Sequence, residues 1–203
     1  KQSHRISLLG KWGGRMPGGP CQIDGERHTA RMACMQTIRI ALITVSDRAA
    51  AGKREDFSGP LAASLLSKYG AVSGPLVVPD GVEPVKEMIA NAIYSGAQIV
   101  FTTGGTGVTS RDLTPEATEP LITQRMWGIE HLMRDNPKVP TAAISRGIAG
   151  IAEFGGNRAF VMNAPGSQGG VKDAVAAVGP LLEHIVEQMG DGDHPEPVEL
   201  QSA

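Results

Sequence analysis

Beyond about residue 37 the apolar positions fall into two alternating textures: short β-branched runs, and longer stretches with helical spacing. "IRIALITVS", from Ile38, is long enough for a strand and too short for a typical helix, and predicts a central strand. "SGPLAASLLSKYG" predicts a helix capped by Ser58, with Pro60 in its first turn and Gly70 as its stop. The alternation repeats. "GPLVVPD" reads as a short strand, "EPVKEMIANAIYSG" as a helix from near Pro84 to Gly96, and "AQIVFTTGG" as a buried strand. Thr114 and Pro115 open a further helix, "PEATEPLITQRM", which Pro120 kinks or shortens. After a polar connection come "AAIS", then "RAFVMNAPG" as a strand, and "GGVKDAVAAVGPLLEHIVEQM" as a closing helical segment that Gly179-Pro180 interrupts. Strand and helix in alternation predict an α/β protein: a mostly parallel sheet with helices on both faces and ligands at the carboxyl ends of the strands.

Composition narrows the class. The chain has 203 residues, enough for one α/β domain, expected over 37–190. Residues 1–36 carry scattered glycine, proline and basic residues without apolar period and suit a flexible N-terminal extension, either a functional arm or a stretch upstream of a start at Met35. Residues 191–203 are polar and acidic and suit a loose tail. A formal charge of -2 gives no global pull toward nucleic acid or a membrane surface. Aromatic residues are only 4% of the chain, too few for a base-stacking surface. No apolar run has the length of a membrane span or the form of a secretory signal, so a cytoplasmic protein is expected. Cys21 and Cys34 have no partners at zinc spacing and imply neither a disulfide framework nor a metal cluster.

The chemistry concentrates in "TTGGTGVTSRDLTPEA". A glycine-rich turn leaving a parallel strand bares backbone N–H groups, so Gly104, Gly105 and Gly107 let an anion or phosphate ester approach the main chain, and Thr103 and Thr106 add hydroxyls. Neither a P-loop nor a Rossmann fingerprint is present, and a plain tight turn competes with this reading. Asp112, five residues beyond Gly107, is near enough to hold Mg²⁺ against phosphate oxygens, or else it pairs with Arg111 or caps the helix at Thr114. Asp80 in "VPDGVE" also follows a strand, yet Glu83 three residues later is a capping-box spacing.

That block, together with "ITVSDRAAAG", "VVPD", "PTAAISRGIAGI" and "NAPGS", resembles the molybdopterin adenylyltransferase family, which includes the G domains of gephyrin and of the plant molybdenum-cofactor protein. The resemblance runs from about Ile38 to Gly190, and GGTG-x-x-x-RD-x-TPEA is highly specific for the group. The "GDGDHP" stretch resembles actinobacterial members. The resemblance implies a three-layer α/β/α fold, usually a homotrimer, that binds molybdopterin and Mg-ATP, transfers AMP to the terminal phosphate of the pterin with release of pyrophosphate, and hands over to a molybdenum insertase. It makes Asp80 and Asp112 the catalytic and Mg²⁺-holding carboxylates. The binding positions it implies are Ser46, Asp47, Thr103, Gly104, Gly105, Thr106, Gly107, Glu116, Ser145, Arg146, Asn163, Pro165, Gly166 and Ser167. Two anions must meet in such a reaction, so positioning and charge neutralisation carry it, with Arg146 expected to add a fork of donors.

The chain departs from the family in two places. "NAPGSQ" stands where Leu-Pro-Gly-Ser-Pro is common, and "IEHLMRDNPK", from Ile129, is the least motif-like stretch. Both fall where the pterin would be recognised. A non-catalytic molybdopterin-binding paralogue remains the main alternative. Behind it stand the insertase and nucleotide-pyrophosphatase relatives, whose GGVS-x-G-x-D and GG-x-G-P-T-x-D-D blocks differ from GGTGVTSRD, and last a receptor scaffold. For Ser145 and Arg146 taken alone, a helix cap and a surface ion pair are the simpler reading.

Overall fold

The computed structural model describes residues 37–136 and 138–190. The expectations for 1–36, with Cys21, Cys34 and Met35, and for 191–203 lie outside the described residues.

Six strands form one sheet in the order β2-β1-β3-β6-β5-β4: β1 (Arg39–Val45), β2 (Ala71–Val78), β3 (Ile99–Thr103), β4 (Ile122–Arg125), β5 (Ala149–Phe154) and β6 (Asn157–Ala164). β2, β1, β3 and β6 run parallel, and β5 runs antiparallel to both β6 and β4. Seven helices accompany the strands among the described residues: α1 (Asp47–Ala50), α2 (Ser58–Leu66), α3 (Val82–Tyr94), α4 (Thr114–Thr118), α5 (Trp127–Arg134), α6 (Gln168–Val178) and α7 (Leu182–Met189).

Side-chain alternation sorts the helices into two layers. On one face, Ile40 and Leu42 of β1, Phe101 of β3 and Phe160 and Met162 of β6 form a continuous core with Leu66 of α2, Ile129 of α5, Val171 and Val175 of α6 and Leu182 of α7. The opposite face takes α3, whose Val85, Ile89 and Ile93 are fully buried, with α4 packed beside it. Each of these large side chains contributes about 1.5–3 kcal/mol on leaving water. The expected three-layer α/β/α architecture is what the chain adopts. No helix among the described residues is long and apolar enough to cross a membrane.

Local structure departs from the expectations or sharpens them in five places. Ser58 does not cap α2: Asp56 Oδ1 accepts the Ser58 and Gly59 N–H groups at 3.0 and 2.9 Å, so the cap comes from two residues earlier. β2 begins at Ala71, ahead of the "GPLVVPD" run. The helix opened by Thr114 ends at Thr118, Pro120 sits in a 3₁₀ turn (Glu119–Leu121), and "ITQR" becomes β4 because β5 offers it a ladder. "PTAAI" is a 3₁₀ turn, Pro140–Ile144. "AGIAEF" and "NRAFVMNA" pair as a hairpin through Gly155 and Gly156, both at positive φ (60° and 81°), as a tight turn requires. The closing segment does break at Gly179-Pro180, into α6 and α7.

Candidate functional site

β3 ends among the parallel strands, and the chain leaves it through Gly104 and Gly105 at φ +100° and +63°. Only glycine fits here. A Cβ on Gly104 would run into the Val45 carbonyl, and one on Gly105 into Thr114 Oγ1. The turn is lashed to its surroundings: Gly104 N–H donates to Ala164 O (3.1 Å), Thr103 Oγ1 to Pro165 O (3.0 Å), and Thr114 Oγ1 to Gly104 O (2.9 Å). Among the described residues no hydrogen bond uses the N–H of Gly105, Thr106 or Gly107. Those three amides are the loop's open donors.

Two cavities meet at this turn. The first, about 510 Å³, is walled by Gly104–Gly107, Pro165–Ser167, the 3₁₀ turn at 140–144, and Met133, Gly170 and Asp173 from α5 and α6. The second, about 450 Å³, is walled by Ser46, the 54–58 loop and Asp80. Gly104, Gly105, Asp112, Gly166 and Ser167 line both. A ligand reaching from one to the other passes over this strip, with Asp112 alongside.

Asp112 neither pairs with Arg111 nor caps α4, whose N-cap Leu113 makes no side-chain bond. Its Oδ2 accepts the Thr109 N–H and Oγ1–H at 2.9 and 2.7 Å, which orients the carboxylate on the shared strip. Asp80 is not the cap of α3 either, since Gly81 holds that position without a side-chain bond. Instead Asp80 Oδ2 accepts the Asp47 N–H (2.9 Å) and Asp47 Oδ1 accepts the Asp80 N–H (3.1 Å). Asp47 braces Asp80 and lines neither of the two cavities. Among the described residues no group of three or more His, Cys, Asp or Glu is placed to hold a metal. Asp80 and Asp112 do line the same cavity, and a two-carboxylate set is what Mg²⁺ takes when phosphates and water complete its shell.

The remaining expected residues divide into those at the cavities and those behind them. Ser46 caps α1 through Oγ (3.3 Å from Ala49 N) and lines the second cavity. Ser167 caps α6 by accepting from Gly170 N (3.1 Å), and Pro165, Gly166 and Ser167 face the first. Ser145 Oγ donates to Thr106 Oγ1 (3.3 Å) within the first cavity wall. Asn163 is fully buried and fully used, donating to Thr102 and Thr118 hydroxyls at 3.0 Å each and accepting from Ile148 N at 3.3 Å. It ties strands together away from both cavities.

Arg146 and Glu116 also stand outside the cavity walls. The Arg146 guanidinium forms an ion pair with Glu116 and donates to Gly107 O (2.7 Å) and Asp112 O, while the Arg146 backbone N–H donates to Thr106 O (2.9 Å). The donors expected for phosphate thus strap the 106–112 loop. The Arg146 hydrogen bond holds the Glu116 carboxyl below its ordinary value, against the opposing effect of burial.

Sequence reasoning missed the role of α5. Glu130, 2% exposed, is held by Arg125 Nε (2.7 Å) and Arg134 Nη1 (3.5 Å) and accepts the Ala149 N–H (3.2 Å). Arg134 in turn donates to Ser145 O (2.7 Å) and Gly147 O, fixing the segment that carries Ser145 and Arg146. Asp56 was missed as well. Its Oδ2, like Thr44 Oγ1, is buried without a partner, and both residues line the second cavity.

An α/β sheet with a glycine turn between two cavities is the frame on which the comparisons with known proteins can be placed. Residues 41–184 match the family described as a probable molybdopterin binding domain, and the chain belongs to that family. A molybdopterin adenylyltransferase of Pyrococcus furiosus is 37% identical over 154 residues, 75% of this chain and 91% of that one. One of Helicobacter pylori is 37% identical over 161 residues, covering 75% and 88%. Among solved structures, a molybdopterin biosynthesis protein from Mycobacterium abscessus superposes with a TM-score of 0.70 at 38% identity, covering 75% of this chain and 96% of that one. The chain is thus a homologue of enzymes of molybdenum cofactor biosynthesis.

Proposed function

We propose that the chain is a molybdopterin adenylyltransferase. A terminal phosphate oxygen of molybdopterin attacks the α-phosphorus of ATP, the new P–O bond forms as the bond to the β-phosphate oxygen breaks, and pyrophosphate leaves. The observation that carries this reading is the shared strip: two cavities of ligand size meet over Gly104, Gly105 and Asp112, as a reaction between two bound substrates requires. The more apolar first cavity, with Met133, Val139 and Ile144, suits a flat heterocycle, and the second suits the nucleotide. The Gly105, Thr106 and Gly107 amides receive phosphate oxygens at the junction. Asp80 and Asp112 are the residues that would hold Mg²⁺, which when bound neutralises phosphate charge. Asp47, Thr109 and the Arg146 strap keep the two carboxylates in position, so little rearrangement accompanies the reaction.

The test is pyrophosphate release from Mg-ATP with and without molybdopterin, in wild type and Asp112→Asn. Release is expected to need both molybdopterin and Asp112, with turnover falling far more than thermal stability in the variant, because the carboxylate is half-buried in the cavity walls and not in the core. Tight molybdopterin binding with no release would replace the enzyme by a carrier. Release without any pterin would point to a nucleotide pyrophosphatase.

A further inference from the structure

The first cavity has two ionisable side chains among its lining residues, Asp112 and Asp173, and both are carboxylates. Among the described residues no lysine, arginine or histidine joins them. For a cavity read as receiving a phosphate-bearing pterin, this distribution constrains how the ligand lies. A carboxylate repels the phosphate end, so a carboxylate without a cation beside it must face a part of the ligand that donates hydrogen bonds.

Asp112 stands on the strip shared with the second cavity, where Mg²⁺ can offset its charge; Asp173 lines the first cavity alone. Asp173 lies on α6, six positions beyond the Ser167 cap (173 − 167), a rise of about 9 Å along the helix axis at ~1.5 Å per residue. The Gly105 to Gly107 turn and Asp173 thus reach the cavity from different elements, the turn after β3 and the body of α6.

We propose that Asp173 reads the 2-amino-4-oxopyrimidine edge of the pterin, accepting the ring N3–H with one oxygen and the exocyclic amine with the other. The inference rests on the reading of the first cavity as the pterin site. That edge presents two parallel N–H donors, the pattern a carboxylate matches with its two oxygens, as it does a guanidinium. Asn136 Nδ2 donates to Asp173 Oδ2 at 2.8 Å, which orients the carboxylate while leaving Oδ1 and a second lone pair on Oδ2 for the ligand. None of the ion pairs among the described residues includes Asp173. Met133 and Ile144 supply apolar wall for the ring system, so the ligand runs from a donor-reading end, past apolar surface, to an anion-accepting end.

The experiment compares wild type, Asp173→Asn and Asn136→Ala in direct binding of molybdopterin, followed anaerobically by pterin fluorescence, with ATP binding in parallel. Asp173→Asn keeps the side-chain shape and an acceptor for Asn136, yet loses the charge and the second acceptor. Its Kd for molybdopterin should rise about ten- to hundredfold, the effect of losing a charged two-point hydrogen bond, with the Kd for ATP unmoved. Asn136→Ala removes the tie and keeps the carboxylate, and should change molybdopterin binding by less than about threefold. Equal losses in the two variants would overturn the proposal, because Asp173 would then only anchor the 135–140 segment. Unchanged binding in Asp173→Asn would overturn it too. A wild type that binds no molybdopterin would remove the pterin site and this inference together. A wild type that binds it and releases no pyrophosphate refutes only the transfer reaction, and the Kd comparison still supports Asp173.

Discussion

Replacing Glu130 by Gln leaves two guanidinium groups around a buried position with no negative charge between them. The carboxylate is 2% exposed and bonds Arg125, Arg134 and the Ala149 amide. Removing one partner of a fully buried ion pair costs about 3–5 kcal/mol. Two features lower that figure here. The arginine side chains keep 26% and 27% of their exposure, so water recovers part of the loss, and Arg125 retains Glu119 at 2.8 Å. Against this, the glutamine amide turns N–H donors toward guanidinium donors. The expected loss is therefore about 1.5–3 kcal/mol. At about 2–4 °C per kcal/mol for a domain of this size, the thermal midpoint should fall by about 3–12 °C, read by circular dichroism with a urea midpoint as a second measure. Glu153→Gln is the control: its pair with Arg158 is exposed on both sides, and its loss should be below about 1 kcal/mol. A Glu130→Gln midpoint no lower than that of Glu153→Gln would refute the argument that burial makes this ion pair matter.

Three further outcomes are expected. Glu116 has its folded pKa lowered, chiefly by the Arg146 hydrogen bond. As pH falls the unfolded chain binds the proton first, so this stabilisation is intact above about pH 4.5 and lost as pH drops through the lower folded value. Thermal midpoints from about pH 6 to pH 3 should thus fall less steeply for Glu116→Gln than for wild type, and parallel curves would contradict the pairing. Gly104→Ala should destabilise by more than about 1 kcal/mol, since positive φ and the Val45 carbonyl both oppose a methyl group, whereas Gly169→Ala in α6 meets nothing within 4 Å and should stabilise slightly; matching urea midpoints would count against this. The homotrimer proposed from the family resemblance should appear in light scattering as three chain masses, and a monomer mass would remove it.

How far the chain could be read in advance depended on where each signal resides. β1, β3 and α3 bury residues at strand or helical period, so their local pattern and tertiary role agree. β4 was misread because Ile122 and Met126 continue a helical spacing, and only the ladder with β5 makes that segment a strand. β5 is built largely from Ala149, Gly150 and Ala152, too small to show an alternation, yet the Gly155-Gly156 pair between apolar runs was a hairpin signal that could have found it. At the site, the glycine turn was legible because backbone exposure is a local property, whereas Asp80 read alone as a helix cap and both aspartates were singled out by the family resemblance. The strap made by Arg146 was not legible: its guanidinium reaches the Gly107 carbonyl across 39 positions of sequence, a contact with no periodic trace. Asp173 reads in sequence as one charge on the wet side of an amphipathic helix, and only the cavity distinguishes it.

The order of the sheet also bears on self-association. Its outer strands are β2 and β4, and an open edge invites a second copy to add a strand. Both edges are poor templates. β2 carries Pro75, which has no N–H to offer, and its register against β1 shifts by a bulge between Ala41 and Ile43. β4 is four residues long and is itself irregular against β5 between Ile122 and Gln124. Among the described residues, then, neither edge favours runaway sheet growth. Any closed assembly of this chain is therefore to be sought in side-chain surfaces that fit one another, not in a sheet continued from copy to copy.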